Sequence, residues 1–310
     1  LPGKANYLNF DNLPSGLARG PNFSPRIGDQ MVQRTVLTVF SLLLSFYAYA
    51  DHNYYPQHFQ DQLENGEVTN QELKEELYRI LSQYHNPSAN GPDSVGTKCK
   101  SDGCYRHTSV GYKQARRVLF GQIHLKQIKG EYAVQDVYCN KWLTESEFRS
   151  NPPAPGKIPN SQIVNAEHTW PQSKFSSRHY KSTQKSDIHG LYPTNSRANS
   201  SRGNSPLGNV QKAQTQICPA SAKGPSTESG RSVFEPPTNH KGNAARALFY
   251  FAVRYQMAID SEQEQFLRIW NLIDPVDEEE MRRNDIIFET QFNRNPFVDI
   301  EGLVAQIEDF

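Results

Sequence analysis

The sequence predicts an α+β fold, mostly helical, in one domain built around a strand–strand–short-helix (ββα) unit. Three observations predict it. Apolar residues recur at helical spacing in several separate stretches, strand-like runs are few and short, and residues 163–204 pass from two strand-like segments into a helix start.

The first fifty residues stand apart from that domain. Met31-Val32-Gln33-Arg34 offers a start residue and a positive charge, Val36 to Phe46 is an apolar run, and Ala48-Tyr49-Ala50 is an A-x-A cleavage signal. This is the layout of a secretory signal peptide, too short in its apolar part to span a bilayer as a helix. The domain organisation is therefore residues 1–30 as an unstructured leader or a mis-assigned start, 31–50 as a signal peptide, and 51–310 as the mature domain. Nothing after residue 50 reads as a membrane segment, so the expected location is secreted or periplasmic. The 4 cysteines agree with export, because an even number in an oxidising compartment suggests two disulfides. Cys99 and Cys104 can close a small loop; the three possible pairings stay open. A zinc site is the rival, but Cys139 and Cys218 lack paired spacing.

Along the mature chain, Thr69-Asn70-Gln71-Glu72 is a capping-box pattern, and Leu73, Leu77, Ile80 and Leu81 share one helical face. Asn86-Pro87 is expected to end that helix, with a Gly/Pro/Ser loop running to Cys99. A second helix is expected over Tyr112–Phe120, a strand over Tyr132–Tyr138, and a rigid proline loop over 150–160. Further helices are expected at Ala244–Met257, at Phe266–Ile273 with Phe266, Leu267, Trp270 and Ile273 on one face, and at Met281–Phe288.

The chain holds 33 basic and 33 acidic residues, which hides an uneven distribution. Residues 161–260 carry 12 Lys/Arg against 5 Asp/Glu, whereas residues 261–310 carry 4 against 13. A basic centre suits a polyanionic partner, and the expectation is that it gathers around the site, with Lys174, Arg178, Lys181 and Arg197 at its mouth and the acidic tail away from it.

Three stretches carry the chemistry. Ile163 to Pro171 is a strand ending in Glu167-His168; neighbours on a strand point to opposite faces, so the two can hold different jobs. Asp187 to Pro193 is strand-like and is expected to end in a Gly/Pro turn. Thr194 to Asn204 starts a short helix, which places Asn195 and Asn199 on one face with Arg202 a turn further on. Two asparagines in a short helix go against propensity and ask for a reason. Together these residues suit phosphodiester hydrolysis. A neutral His168 can take a proton from water. Glu167 and Asn199 supply the hard oxygens that Mg²⁺ prefers, with Ca²⁺ and Mn²⁺ as alternatives for the same donors. Arg202 and Lys185 are the candidates to clamp a phosphate oxygen. Asp187 and His189 read as supporting residues in the turn.

The segments DVYCNK (136–141), NAEHTWPQS (165–173), KSDIHGLYPTNSRANSSRGN (185–204), FEPP (234–237) and WNLIDPVDEEEMRRNDIIFETQFNRNPFVD (270–299) resemble the bacterial endonuclease I family of the His-Me finger, or ββα-metal, nucleases. The resemblance implies Mg²⁺-dependent, sequence-independent cleavage of DNA, and of RNA in many members, leaving 5′-phosphates. It implies His168 as general base and Glu167 and Asn199 as metal ligands. The expected partner is DNA or RNA held through its phosphates, and the expected state is a monomer. Some relatives carry Glu where this chain has Lys185, and some carry Asp where it has Asn243. A competing function class is a nucleic-acid- or polysaccharide-binding module on a degenerate nuclease fold; within nucleases, the alternative is a preference for RNA.

Overall fold

The structure, a computed structural model, describes residues 53–310 apart from Ser101. The leader and signal-peptide readings lie outside the described residues. In chain order the elements are α1 (Gln57–Glu64), α2 (Asn70–Ser82), β1 (Tyr84–Ser88), β2 (Gly91–Gly96), α3 (Tyr112–Val118), β3 (Leu125–Ile128), β4 (Glu131–Asp136), β5 (Lys141–Thr144) and β6 (Val164–His168). They continue with α4 (Lys181–Ser186), β7 (Leu191–Asn195), α5 (Ser196–Arg202), β8 (Ala222–Pro225), β9 (Ser232–Glu235), α6 (Thr238–Tyr255), α7 (Ser261–Ile273), α8 (Glu278–Gln291) and α9 (Pro296–Asp299). The mixed α+β class is as expected from the sequence.

The helix α6 organises the larger core. It follows Pro236-Pro237 and ends where Gln256 takes a left-handed conformation. Buried residues lie on every side of it, among them Leu248, Phe249, Tyr250, Phe251 and Tyr255. A helix buried on all sides must be surrounded: α2 and α7 pack on it, with Leu73, Leu77, Leu267 and Trp270 in the same cluster. A second cluster joins Val118, Leu119, Phe120, Val134, Leu143, Val164, Ile188 and Leu191. It ties α3 and the β3–β4–β5 sheet to the β6–β7 pair, so the candidate site rests on two cores.

Several sequence expectations need correction. The stretch expected as a loop to Cys99 is a hairpin, β1 against β2. The helix before it stops at Ser82, and Pro87 falls at the register shift between Asn86 and Ser88. A bulge needs no ladder N–H at that position, so proline is tolerated there. Pro193 lies inside β7 opposite Ala166 instead of in a turn. Ile273 leaves the buried face of its helix and is 56 % exposed, because α7 ends at that residue. The basic block does not all face outward either: Arg246 pairs with Glu280, Lys241 with Glu235, and Arg231 with Asp260 and Glu262. Part of its charge is neutralised within the fold, in two of these pairs by the acidic tail.

All four cysteines are paired, as Cys99–Cys104 and Cys139–Cys218. The second bond ties the turn after β4 to the segment before β8. Among the described residues, no helix is long and apolar enough to cross a membrane.

Candidate active site

The β6 strand runs antiparallel to β7, with Glu167 opposite Tyr192 and His168 opposite Leu191. β7 leads directly into α5. Asn195 is the N-cap of that helix: its side-chain oxygen accepts from the backbone N–H of Arg197 and Ala198. The two asparagines expected on one face therefore separate. Asn195 starts the helix, as short polar side chains do at that position, while Asn199 reaches across to β6 and donates from Nδ2 to Asn165 Oδ1 at 2.8 Å. With its N–H committed to Asn165, the amide presents Oδ1 as a lone-pair donor. The helix closes at Gly203, whose φ of +59° favours glycine.

An open cleft of about 340 Å³ brings Glu167, His168 and Asn199 together, with Asn165, Gln172 and Arg202 also on its wall. Glu167 is buried, and its Oε1 accepts from Tyr138 Oη at 2.9 Å and from Arg202 Nη1 at 2.8 Å. Burial raises its pKa above the ordinary carboxylate value, against the pull of Arg202 and Tyr138. His168 is held at both ring nitrogens. Nε2 donates to the Lys185 carbonyl at 3.1 Å, and the Gln172 amide approaches Nδ1 at 3.3 Å. A carbonyl can only accept, so the ring proton sits on Nε2 and Nδ1 keeps its lone pair. Burial lowers the His168 pKa to about 4; the Lys185 carbonyl opposes this, while the charges of Lys185 and Arg202 add to it. The imidazole is thus neutral near pH 7.

Lys185 sits in the last turn of α4, placed by its backbone against His168 and by its ammonium over the Tyr112 ring, 4.7 Å from the centroid. Arg116 lies over the same ring at 4.6 Å, and that ring is 5.5 Å from the imidazole of His168. The charges that act on the histidine are those of Lys185 and Arg202, and Arg116 meets it only through the Tyr112 ring. Arg202 is placed differently from the expected clamp at the cleft mouth. It is 2 % exposed, and besides Glu167 it donates to the carbonyls of His168, Thr169 and Gly203. Its guanidinium is engaged by protein oxygens and fixes the end of β6.

Asp187 and His189 support the scaffold. Asp187 is buried and accepts from Tyr250, Tyr255, Gln291 and the His189 backbone N–H. His189 lies against Asn293 and the Tyr250 ring. Both tie the start of β7 to α6 and the chain beyond α8. Sequence reasoning missed Tyr138, Asn165, Gln172, Tyr112 and Arg116. Asn165 and Gln172 lie inside the Glu-His segment and were open to notice there; Tyr138, Tyr112 and Arg116 arrive by tertiary packing.

The donor set discriminates among metals. Among the described residues no group of three or more His, Cys, Asp or Glu could hold an ion, which disfavours a nitrogen- and sulfur-rich zinc site. One carboxylate and one amide oxygen on an open cleft fit Mg²⁺, which keeps most of its water and takes few protein ligands.

The fold and cleft define a strand–strand–helix site with a neutral histidine beside two hard oxygen donors. The chain belongs to the endonuclease I family, whose sequence profile matches residues 69–301. It is 36 % identical over 155 residues to an extracellular ribonuclease of Bacillus subtilis (strain 168), covering 44 % of this chain and 50 % of that protein. It is 35 % identical over 155 residues, with the same coverage of 44 % and 50 %, to an extracellular ribonuclease of Bacillus amyloliquefaciens. It is 30 % identical over 113 residues to Endonuclease-1 of Buchnera aphidicola subsp. Acyrthosiphon pisum (strain APS), covering 36 % of this chain and 44 % of that protein. The chain thus spans about half the length of the relatives it matches, 50 % of each Bacillus protein.

Proposed function

We propose that the protein is a secreted, metal-dependent nuclease of the His-Me finger type that hydrolyses phosphodiester bonds without reading base sequence. The observation that carries this is the shared cleft of Glu167, His168 and Asn199, with the His168 proton held on Nε2 by the Lys185 carbonyl.

In this reading the lone pair on His168 Nδ1 takes a proton from the attacking water as its oxygen bonds to phosphorus. The bond from phosphorus to the 3′ oxygen breaks, leaving a 5′-phosphate. Burial keeps the imidazole neutral and competent as a base. A phosphate anion entering the cleft favours protonation of the ring, so the base strengthens once substrate is bound. Glu167 and Asn199 would hold the Mg²⁺, which when bound supplies positive charge to the anionic phosphorus centre. Arg202 and Tyr138 position Glu167, and Asn165 positions Asn199. Of the two residues expected to clamp a phosphate, Lys185 supplies positive charge beside His168 and keeps that part, while the buried Arg202 holds Glu167.

DNA and RNA are both substrates in this proposal, since contacts to phosphate carry no base information. The two Bacillus relatives are named ribonucleases, which favours an RNA arm in the test. The paired cysteines and the extracellular relatives support export. The deciding experiment is a digest of supercoiled DNA, single-stranded DNA and RNA, each with Mg²⁺ and with chelator, by wild type and His168→Ala. Cutting that needs both metal and His168 supports the reading. Binding without cutting would instead support a nucleic-acid-binding module.

A further inference from the structure

A second cavity, of about 390 Å³, opens at the other end of α4 from the His168 contact. Arg178, His179, Tyr180, Thr183, Arg254 and Tyr255 line it, and no carboxylate does. Arg254 is 8 % exposed. Its Nε donates to His107 Nδ1 at 3.1 Å, and its guanidinium lies 5.0 Å from the Tyr255 ring centroid. Among the described residues it forms no direct salt bridge; the carboxylate whose charge acts on it is Asp187, which accepts from Tyr250 and Tyr255. A guanidinium on a cavity wall with no carboxylate in direct contact can still take an anion brought by a ligand. His179 Nε2, also on this cavity's wall, is buried without a partner.

The rim has its own unexplained feature. Tyr180 is 85 % exposed, although the loop that carries it is firmly held. The buried Gln184 side chain bonds to Ser176 N, Ser176 O and His179 O. An aromatic ring kept in solvent by a rigid loop, beside Arg178 and Lys181, is what stacking on a nucleobase requires. Tyr180 and Lys185 are five residues apart, about 7–8 Å along the helix axis. That corresponds to a step of roughly one to two nucleotides from the candidate site.

We propose that this cavity is a nucleotide subsite: Arg254 and Arg178 take a phosphate one or two steps from the scissile one, and Tyr180 stacks on the attached base. The role in substrate binding rests on the nuclease reading above. Ring stacking needs an unstacked base, so the subsite favours single-stranded over duplex substrate.

The test is equilibrium binding in chelator, without turnover, using adenosine 5′-monophosphate, adenosine and inorganic phosphate as probes. Wild type should bind the monophosphate more tightly than either fragment. Arg178→Ala should weaken the monophosphate and inorganic phosphate alike, by about tenfold for a lost charge-assisted pair. Tyr180→Ala should weaken the monophosphate by about tenfold and leave inorganic phosphate unchanged. Arg254→Gln should have the largest effect; should it fail to fold, the two exposed positions still decide. Monophosphate affinity that is absent in wild type, or unchanged in both Arg178→Ala and Tyr180→Ala, overturns the subsite. His168→Ala should bind the monophosphate as wild type does. If His168→Ala also cuts nucleic acid normally, the catalytic reading fails and the subsite stands; if cutting needs His168 but the monophosphate ignores Arg178 and Tyr180, the reverse holds.

Discussion

Acidification should destabilise this protein well before its carboxylates titrate, because four buried histidines and the partly exposed His107 are held neutral. Burial lowers His107 and His168 to about 4 and His189 and His240 to about 3, and it holds His124 well below the ordinary value. An unfolded histidine takes a proton below about pH 6.5, whereas these cannot in the folded state. The unfolded chain therefore binds more protons, and stability rises with pH. The contribution is complete above the unfolded pKa and is lost as pH falls toward the folded one. Between pH 7.5 and 5.5 each such group costs about 1.3 kcal/mol, so the five together cost about 6–7 kcal/mol. That is comparable to the total stability of many domains. The raised carboxyls of Glu167, Asp136, Glu280 and Asp299 act in the opposite direction, so the histidine sum is an upper bound. A single substitution isolates one histidine. His240 packs against Tyr192 and Tyr138 and does not line the cleft of Glu167, His168 and Asn199. Urea unfolding of wild type and His240→Gln at both pH values measures the effect. The variant starts less stable through lost packing, and its deficit should shrink by about 1.3 kcal/mol on going to pH 5.5. A deficit that stays constant across the two pH values would mean that His240 titrates alike folded and unfolded, and the reasoning fails.

His168→Ala should cut at a rate lowered by about a hundred- to ten-thousand-fold, with its circular dichroism unchanged; a variant keeping a tenth of wild-type turnover would exclude it as the base. Glu167→Ala and Asn199→Ala should each raise the Mg²⁺ concentration needed for half-maximal cleavage, since each removes one of few protein oxygens; a metal titration unmoved by either would rule that residue out as a ligand. Arg202→Met removes the cation facing the buried Glu167 carboxylate and three carbonyls. It should cost about 3–5 kcal/mol in denaturant unfolding, and Arg202→Lys should rescue poorly because an ammonium cannot match that fork. Cys139 and Cys218 are 79 residues apart, so replacing both by serine should cost about 4 kcal/mol by loop-closure entropy, read as a lower urea midpoint than that of a Cys99/Cys104 double variant.

The sequence by itself determined several helices and the grouping of the candidate site residues. Helical spacing identified α2 and the buried face of α7 apart from Ile273, because the amphipathic period is written directly in residue order. Glu167, His168 and Asn199 could be picked out as a set because strand, strand and helix follow one another over a short stretch. The residues that orient the set were mostly illegible. Tyr138 comes from beyond β4, Arg116 and Tyr112 from α3, and none shares a period or motif with the Glu-His strand. The His168 partner is a backbone carbonyl, so the identity of Lys185 could not announce it. Arg202 was read as a surface clamp because helical spacing gives the direction of a side chain but not what covers it. Whether a guanidinium meets solvent or a buried carboxylate depends on how β6 packs against α5, and that packing alone turned Arg202 inward. The packing of α6 against the segment before α4 likewise placed Arg254 on a cavity wall with no carboxylate in that lining, since burial is a property of neighbours brought together by the whole fold.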